Sequence, residues 1–337
     1  MLSKTILRVV AMACILACGV NVGGEVVIET VTVGNPGNAS EPSGECVPGG
    51  FGPCRECGAV DYVYSIGKFE VTAGQYTEFL NAVAGVDTFG LYNTSISDEW
   101  GCKIERFDGS GTVGDPYQYR VASAWADRPV NYVSWGDAAR FANWLHNGQP
   151  TGAQDLTTTE NGSYDLSATH AYYEPGGEII DLDALNNALL AVVREEDATW
   201  VIPSEDEWYK AAYYDGGSGV YYDYPTSTDA VPNNGNPEGD TGNSANFYDA
   251  EWTIGSPYYR TVVGFFALSD SPYGSFDQGG NIQEWHEAVI GAYRGLRGGM
   301  YSFGVTRLHA AHRDGNSPTT EHDYIGFRVT RVNCNNN

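Results

Sequence analysis

Apolar residues recur with a helical period in four stretches of the chain. Tyr76, Phe79, Leu80 and Val83 fall at i, i+3, i+4 and i+7, which is one face of a helix. Thr72, with Gln75 three residues on, supplies the capping box that starts it. A second helix is predicted from Ser134, with Ala138, Phe141, Ala142 and Leu145 on one side. Leu182, Leu185, Leu189 and Val192 mark a further one. Ser204 with Glu207 opens the last, whose buried face is Trp208, Ala211 and Ala212. Ahead of the first helix, Tyr62 to Phe69 reads as a short strand. Beyond Tyr213 the pattern changes: Gly, Asn, Asp, Ser and Tyr dominate, and no period persists for more than a few residues. That half is predicted to be loop-rich, held by buried aromatics, disulfides or bound metal.

The ends and the cysteines set the organisation. Lys4 and Arg8 precede a short apolar run, Val9 to Ala17, the size of a secretory signal and too short to span a bilayer. Ile15-Leu-Ala-Cys18-Gly19 also resembles a lipobox, so two outcomes stay open: release after cleavage near residue 24, or acylation at Cys18. The expected compartment is extracytoplasmic, and a membrane is met only through that N-terminal anchor. Residues 25–60 form a Gly/Pro-rich, Cys-containing leader, 61–333 the main domain and 334–337 a tail. Cys54-Arg-Glu-Cys57 has redox or half-zinc spacing but lacks the strand and helix context such motifs need. Cys46, Cys54 and Cys57 are therefore expected to staple the leader by disulfide, with the pairing open.

Charge narrows the partners. The 337 residues carry 18 basic against 43 acidic side chains, a formal net charge of -25, which repels phosphate backbones and excludes nucleic acid as an expected ligand. With 42% hydrophobic residues the chain can bury a sizeable core.

Five blocks occur in order: Arg128-Pro-Val-Asn-Tyr-Val-Ser-Trp135, Trp200-Val-Ile-Pro-Ser-Glu-Asp-Glu-Trp208, Asp277-Gln-Gly-Gly-Asn-Ile-Gln-Glu-Trp285, Arg297-Gly-Gly299 and Ile325-Gly-Phe-Arg-Val329. Together they resemble the formylglycine-generating enzyme, or sulfatase-modifying factor, family over roughly Val60 to Val332. The resemblance implies an α+β, loop-rich fold related to C-type lectin domains, with structural calcium. It places calcium ligands on the Asp277 and Glu284 side chains and the Gly280 and Ile282 carbonyls. A second calcium site would begin at Asn246 and Phe247, although its usual aspartate has no match near Ser256 to Tyr258.

The family's chemistry is an oxygen-dependent oxidation of a substrate cysteine by copper(I) held on two thiolates, a soft donor set suited to that ion. The matching stretch, Gly299 to Leu308, contains no cysteine, nor does any position from 103 to 333. Copper is therefore not expected, and Met300 offers a single thioether. His309, His312 and His322, with Asp314 or Glu321, are a weak alternative donor set for a transition metal. The expectation is a calcium-stabilised binding protein whose cleft, Tyr301, Phe303, Arg307, His309, His312 and Arg313, takes a peptide or a glycan. The alternative is an enzyme of the same family using another metal or acid–base chemistry in that cleft, with a genuine oxidase ranking below it.

Overall fold

The computed structural model describes residues 25–236 and 238–332. The expected export segment with Cys18, and Cys334 with the terminal tail, lie outside the described residues. In chain order the elements are β1 (Thr30–Val33), β2 (Glu41–Ser43), β3 (Arg55–Cys57), β4 (Tyr64–Gly67), α1 (Ala73–Val83), β5 (Ile104–Asp108), β6 (Gln118–Val121), α2 (Ser123–Ala126), α3 (Trp135–His146), α4 (Leu182–Ala191), β7 (Trp200–Val201) and α5 (Glu205–Tyr213). There follow β8 (Tyr214–Asp215), β9 (Val220–Tyr221), β10 (Gln283–Ile290), β11 (Tyr293–Arg297), β12 (Asp314–Asn316), β13 (Ile325–Gly326) and β14 (Thr330–Arg331).

The helices start where their caps predict. Thr72 and Gln75, Ser134 and Asp137, and Ser204 and Glu207 each make both bonds of a capping box. The α4 stripe is narrower than expected: Leu185 and Leu189 are buried, but Leu182, at the open first turn, is 53% exposed. The faces of α1 and α3 meet in the main core, where Phe79 packs edge-on against Phe141 at 5.2 Å and Phe141 against Phe327 at 5.4 Å. Truncating a ring such as Phe79, wholly buried here, costs about 3 to 5 kcal/mol in comparable cores. Among the described residues no helix is long and apolar enough to cross a membrane.

Two four-stranded sheets flank that core, in the orders β1-β4-β14-β7 and β12-β11-β10-β13, with hairpins β2-β3, β5-β6 and β8-β9 outside them. The leader is more ordered than its composition predicts. Its β1 pairs with β4 over Thr30↔Gly67 to Val33↔Tyr64, and β2 pairs with β3. Between these strands a Cys46–Cys54 disulfide closes the turn, while Cys57 stays a buried free thiol. The second half is largely loop, as expected, except for the β10-β11 hairpin, which is the framework of the candidate site.

A paired arginine hub and an unpaired aromatic face

The Asp277 loop folds back tightly. Asp277 and Asn281 sit at positive φ, and Gly280, at φ 87°, lies where a Cβ would meet the Asn246 carbonyl oxygen at 2.2 Å, so only glycine fits. Asn281 N–H donates to the Asn246 carbonyl at 2.8 Å, and Asn246 Nδ2 donates to Asn281 Oδ1 at 3.0 Å. The loop therefore joins two segments that the family resemblance treats as separate calcium sites. Ile282 and Phe247 are buried, the latter in a small cluster with Tyr224, Ala245 and Leu308.

Calcium requires six to eight oxygen donors with enough negative charge to replace its water, and the donors here are already engaged. Both Glu284 oxygens are held by Arg328, Nε to Oε2 at 2.6 Å and Nη2 to Oε1 at 2.6 Å, and Oε2 also accepts from Trp208 Nε1 at 2.7 Å. Asp277 Oδ2 accepts from the Gly264 amide at 2.5 Å. In this arrangement the Glu284 charge is neutralised by Arg328, so Glu284 is not free to join Asp277, Gly280 and Ile282 in a calcium cage, and at the second expected site, Asn246 and Phe247, the Asn246 side chain is tied to Asn281. Burial, opposed by the Gly264 N–H, pushes the Asp277 carboxyl up to about 6. Sequence reasoning missed Glu70 altogether. Its carboxyl accepts from Asn281 Nδ2 at 3.0 Å through one oxygen, and its other oxygen is buried without a partner. Burial, with Asp277 adding to it, raises that carboxyl well above its usual range.

Three of the expected cleft residues lie elsewhere. Arg313 is buried, and its Nε and Nη2 both donate to Glu205 at 2.7 Å. Arg297 reaches the same carboxylate through Nη2 at 2.6 Å, and Arg55 through Nη1 at 2.6 Å. Burial alone would raise the Glu205 carboxyl; Arg297 and Arg313 more than offset it and hold it well below the usual range. His312 stacks on Phe51 with ring centroids 4.9 Å apart, and His309 faces Asp223 at 3.5 Å. His322 packs on Tyr324 at 3.9 Å. The three imidazoles thus take separate neighbours, and no group of three or more His, Cys, Asp or Glu suited to a metal ion occurs among the described residues. Cys57 lies against Arg297 Nη2 at 3.3 Å, yet burial, reinforced by Glu205, pushes its thiol up to about 12, away from the range of a reactive thiolate.

Tyr301, Phe303 and Arg307 do come together. The Arg307 guanidinium lies 4.1 Å from the Phe303 ring centre, and Phe303 stands 6.5 Å from Tyr324. Tyr301 donates its hydroxyl to Asp323 and leads into a run of rings: Tyr301 to Trp252 and to Tyr259 at 6.0 Å each, Trp252 to Tyr248 at 4.9 Å, and Trp100 stacked on Tyr259 at 4.6 Å with planes 28° apart. Trp100, Tyr248 and Phe303 are 38%, 39% and 41% exposed. These rings come from four distant segments, so no local spacing announces them; the only signal is the abundance of tyrosine and tryptophan. Exposed ring faces joined side by side suit stacking on a flat apolar ligand face.

This α+β fold, loop-rich with two small sheets around a helical core, is that of formylglycine-generating-enzyme-like proteins. The sulfatase-modifying factor enzyme 1-like domain matches residues 34–333, and the chain belongs to that family. Treponema denticola variable protein 1 shares the fold at 17% identity, with a TM-score of 0.50 over 92% of this chain and 96% of that one. The structure of CarF is similar at 20% identity (TM-score 0.49, 90% and 98% covered), and PvdO from Pseudomonas aeruginosa at 18% (0.46, 90% and 93%). No functionally curated protein matches the chain.

Proposed function

We propose that this member of the family is an exported ligand-binding protein that takes a peptide or glycan on the face formed by Tyr301, Phe303, Trp252, Tyr259 and Trp100, and that it does not generate formylglycine. The observation that carries the reading is the content of the stretch where the resemblance places the copper thiolates. From Gly299 to Leu308 it holds no cysteine and instead presents the exposed Phe303, with the buried Tyr301 beneath the neighbouring rings. Copper(I) held by thiolates needs soft anionic sulfur, and the free thiols of Cys57 and Cys102 are buried and raised by that burial. Export is supported by the apolar N-terminal run and by the Cys46–Cys54 disulfide, which is kinetically safe in an oxidising compartment. The test is to incubate the protein with a cysteine-containing sulfatase-type peptide, copper(I) and oxygen. No loss of mass in the peptide is expected; protein-dependent conversion of its cysteine to an aldehyde would overturn the reading.

A further inference from the structure

The ligand-binding reading of the aromatic face leaves the chemical class of ligand open, and the cations behind that face narrow it. Arg260 is 1% exposed, yet its guanidinium hydrogen-bonds only to backbone: Nη2 donates to the Gly101 carbonyl at 3.0 Å and Nη1 to the Asp323 carbonyl at 3.3 Å, while Nε is buried without a partner and the Tyr301 ring lies 5.5 Å away. Arg128 stands in front of it. Its Nη1 donates to the Arg260 carbonyl, its Nε to the Ala124 carbonyl at 3.1 Å, and its guanidinium lies 3.9 Å from the Tyr258 ring centre. Lys103 completes the group, 5.8 Å from the Trp125 ring that also borders Arg128.

Among the described residues none of these three cations forms an ion pair with a carboxylate, in a chain whose formal net charge is -25. Asp323, beside Arg260, is already engaged by the Tyr301 hydroxyl and by His322 Nδ1. The Asp323 carboxylate offsets the burial of Arg260 only in part, so the guanidinium stays costly, and a second one beside it compounds the cost. Burial lowers both arginines from their ordinary values, and Arg260 adds to the lowering of Arg128. The planar fork of arginine matches a carboxylate or sulfate. Next to it lie ring faces, Tyr258 and the stacked Trp100–Tyr259 pair. Ring faces beside an arginine suit the apolar face and the charged group of an anionic pyranose together, whereas a peptide added as a strand takes its affinity from an exposed sheet edge rather than from rings.

We propose that this face binds an oxyanion-bearing saccharide: Arg128 receives the carboxylate or sulfate, Arg260 supplies positive potential from behind, and the Trp100–Tyr259 pair supports the sugar ring. The test uses the disulfide-bonded chain titrated with tetragalacturonate, a sulfated maltotetraose, neutral maltotetraose and hexaglutamate, read by tryptophan fluorescence. One or both anionic saccharides should bind roughly tenfold or more tighter than maltotetraose, and Arg128→Gln should remove most of that margin while Arg128→Lys keeps part of it. Equal binding of neutral and anionic saccharides, hexaglutamate binding at least as well as the saccharides, no binding of either anionic saccharide, or an unchanged margin in Arg128→Gln would each overturn the proposal. Trp252→Ala separates the two readings. If it abolishes binding of every probe while Arg128→Gln changes nothing, only the anionic specificity falls; if it leaves all binding intact, the aromatic face is not the ligand site.

Discussion

Around Glu205, Arg297 and Arg313 reach a carboxylate at 2.6 and 2.7 Å, whereas Arg128 and Arg260, beside the aromatic face, are met by backbone carbonyls. The same contrast runs through the rest of the chain. Arg140 is paired with Glu160, Arg194 with Glu207 and Arg328 with Glu284. The paired arginines tie loops that have few ladder bonds: Arg297 also donates to the carbonyls of Ala310 and His312 at 2.9 and 2.8 Å, fixing the segment that carries Arg313. Internal neutralisation builds much of the scaffold, and Arg294, hydrogen-bonded in the core only to the carbonyls of Glu287, Leu189, Leu190 and Val192, shows that an arginine without an ion pair can also be a tie between segments. What sets Arg128 and Arg260 apart is that they lie beside partly exposed rings.

The sharpest way to break this comparison is Glu205→Gln, which leaves two buried guanidiniums without their charge partner. Removing one member of a buried pair costs about 3 to 5 kcal/mol, and a urea denaturation midpoint should register it. A loss under about 1 kcal/mol would show that pairing does not hold this region. Opening the leader should cost less. Cys54→Ser releases the short loop closed by the Cys46–Cys54 bond, a change worth about 2.5 kcal/mol in the chain-entropy account. Both variants should retain the ordering of effects if they are measured on the same refolded material.

The pH dependence of stability separates the paired carboxylates from the merely buried ones. Asp137 and Asp277 are pushed up to about 6, chiefly by burial. Each binds its proton more tightly folded than unfolded, so each adds stability as pH falls from above 6 toward its unfolded value, on the order of 3 kcal/mol per group. Glu205, Glu160 and Glu207 are held low by arginines that outweigh their burial. Their contribution is present above the unfolded pKa and is lost as pH falls through the folded one. A thermal scan across pH should therefore show maximal stability between about 4.5 and 6; a maximum above 7 would contradict the carboxylate assignments. The two smallest effects complete the series. Arg128→Gln should leave stability unchanged or raise it by up to about 1 kcal/mol, because it removes a guanidinium set beside Arg260 while giving up only backbone bonds and the Tyr258 contact. A calcium chelator should leave the melting temperature unchanged, because Arg328 already neutralises Glu284; a chelator-sensitive melt would restore calcium to the Asp277 loop.

The helices were legible because each begins with a local device: Thr72, Ser134 and Ser204 act within three residues of themselves. The hairpin of β10 and β11 was not. Gln283, Glu284, Trp285 and His286 are buried in succession along β10, so alternation is absent, and the polar members are tolerated only through partners such as Arg328, 44 residues away. The leader strand β1 was hidden for a related reason, since its pairing partner β4 supplies the order that its Gly/Pro-rich surroundings lack. Near the proposed face, Phe303 and Arg307 were named from their place in the Gly299 to Leu308 stretch and lie together, but His312 and Arg313 just beyond it turn inward to Phe51 and Glu205. Trp100, Trp252 and Tyr259 could not be assigned at all, because their meeting depends on tertiary contacts.

One property of the β1-β4-β14-β7 sheet concerns the path of the chain as a whole. The first described strand and the last lie on either side of β4, with Thr30 opposite Gly67 and Thr330 opposite Ile66. Two strand spacings separate them, about 10 Å, and because each runs antiparallel to β4 the two are parallel to one another. The domain is clasped by hydrogen bonds through β4 at both ends of its chain, so peeling away either end bares an edge of the same strand.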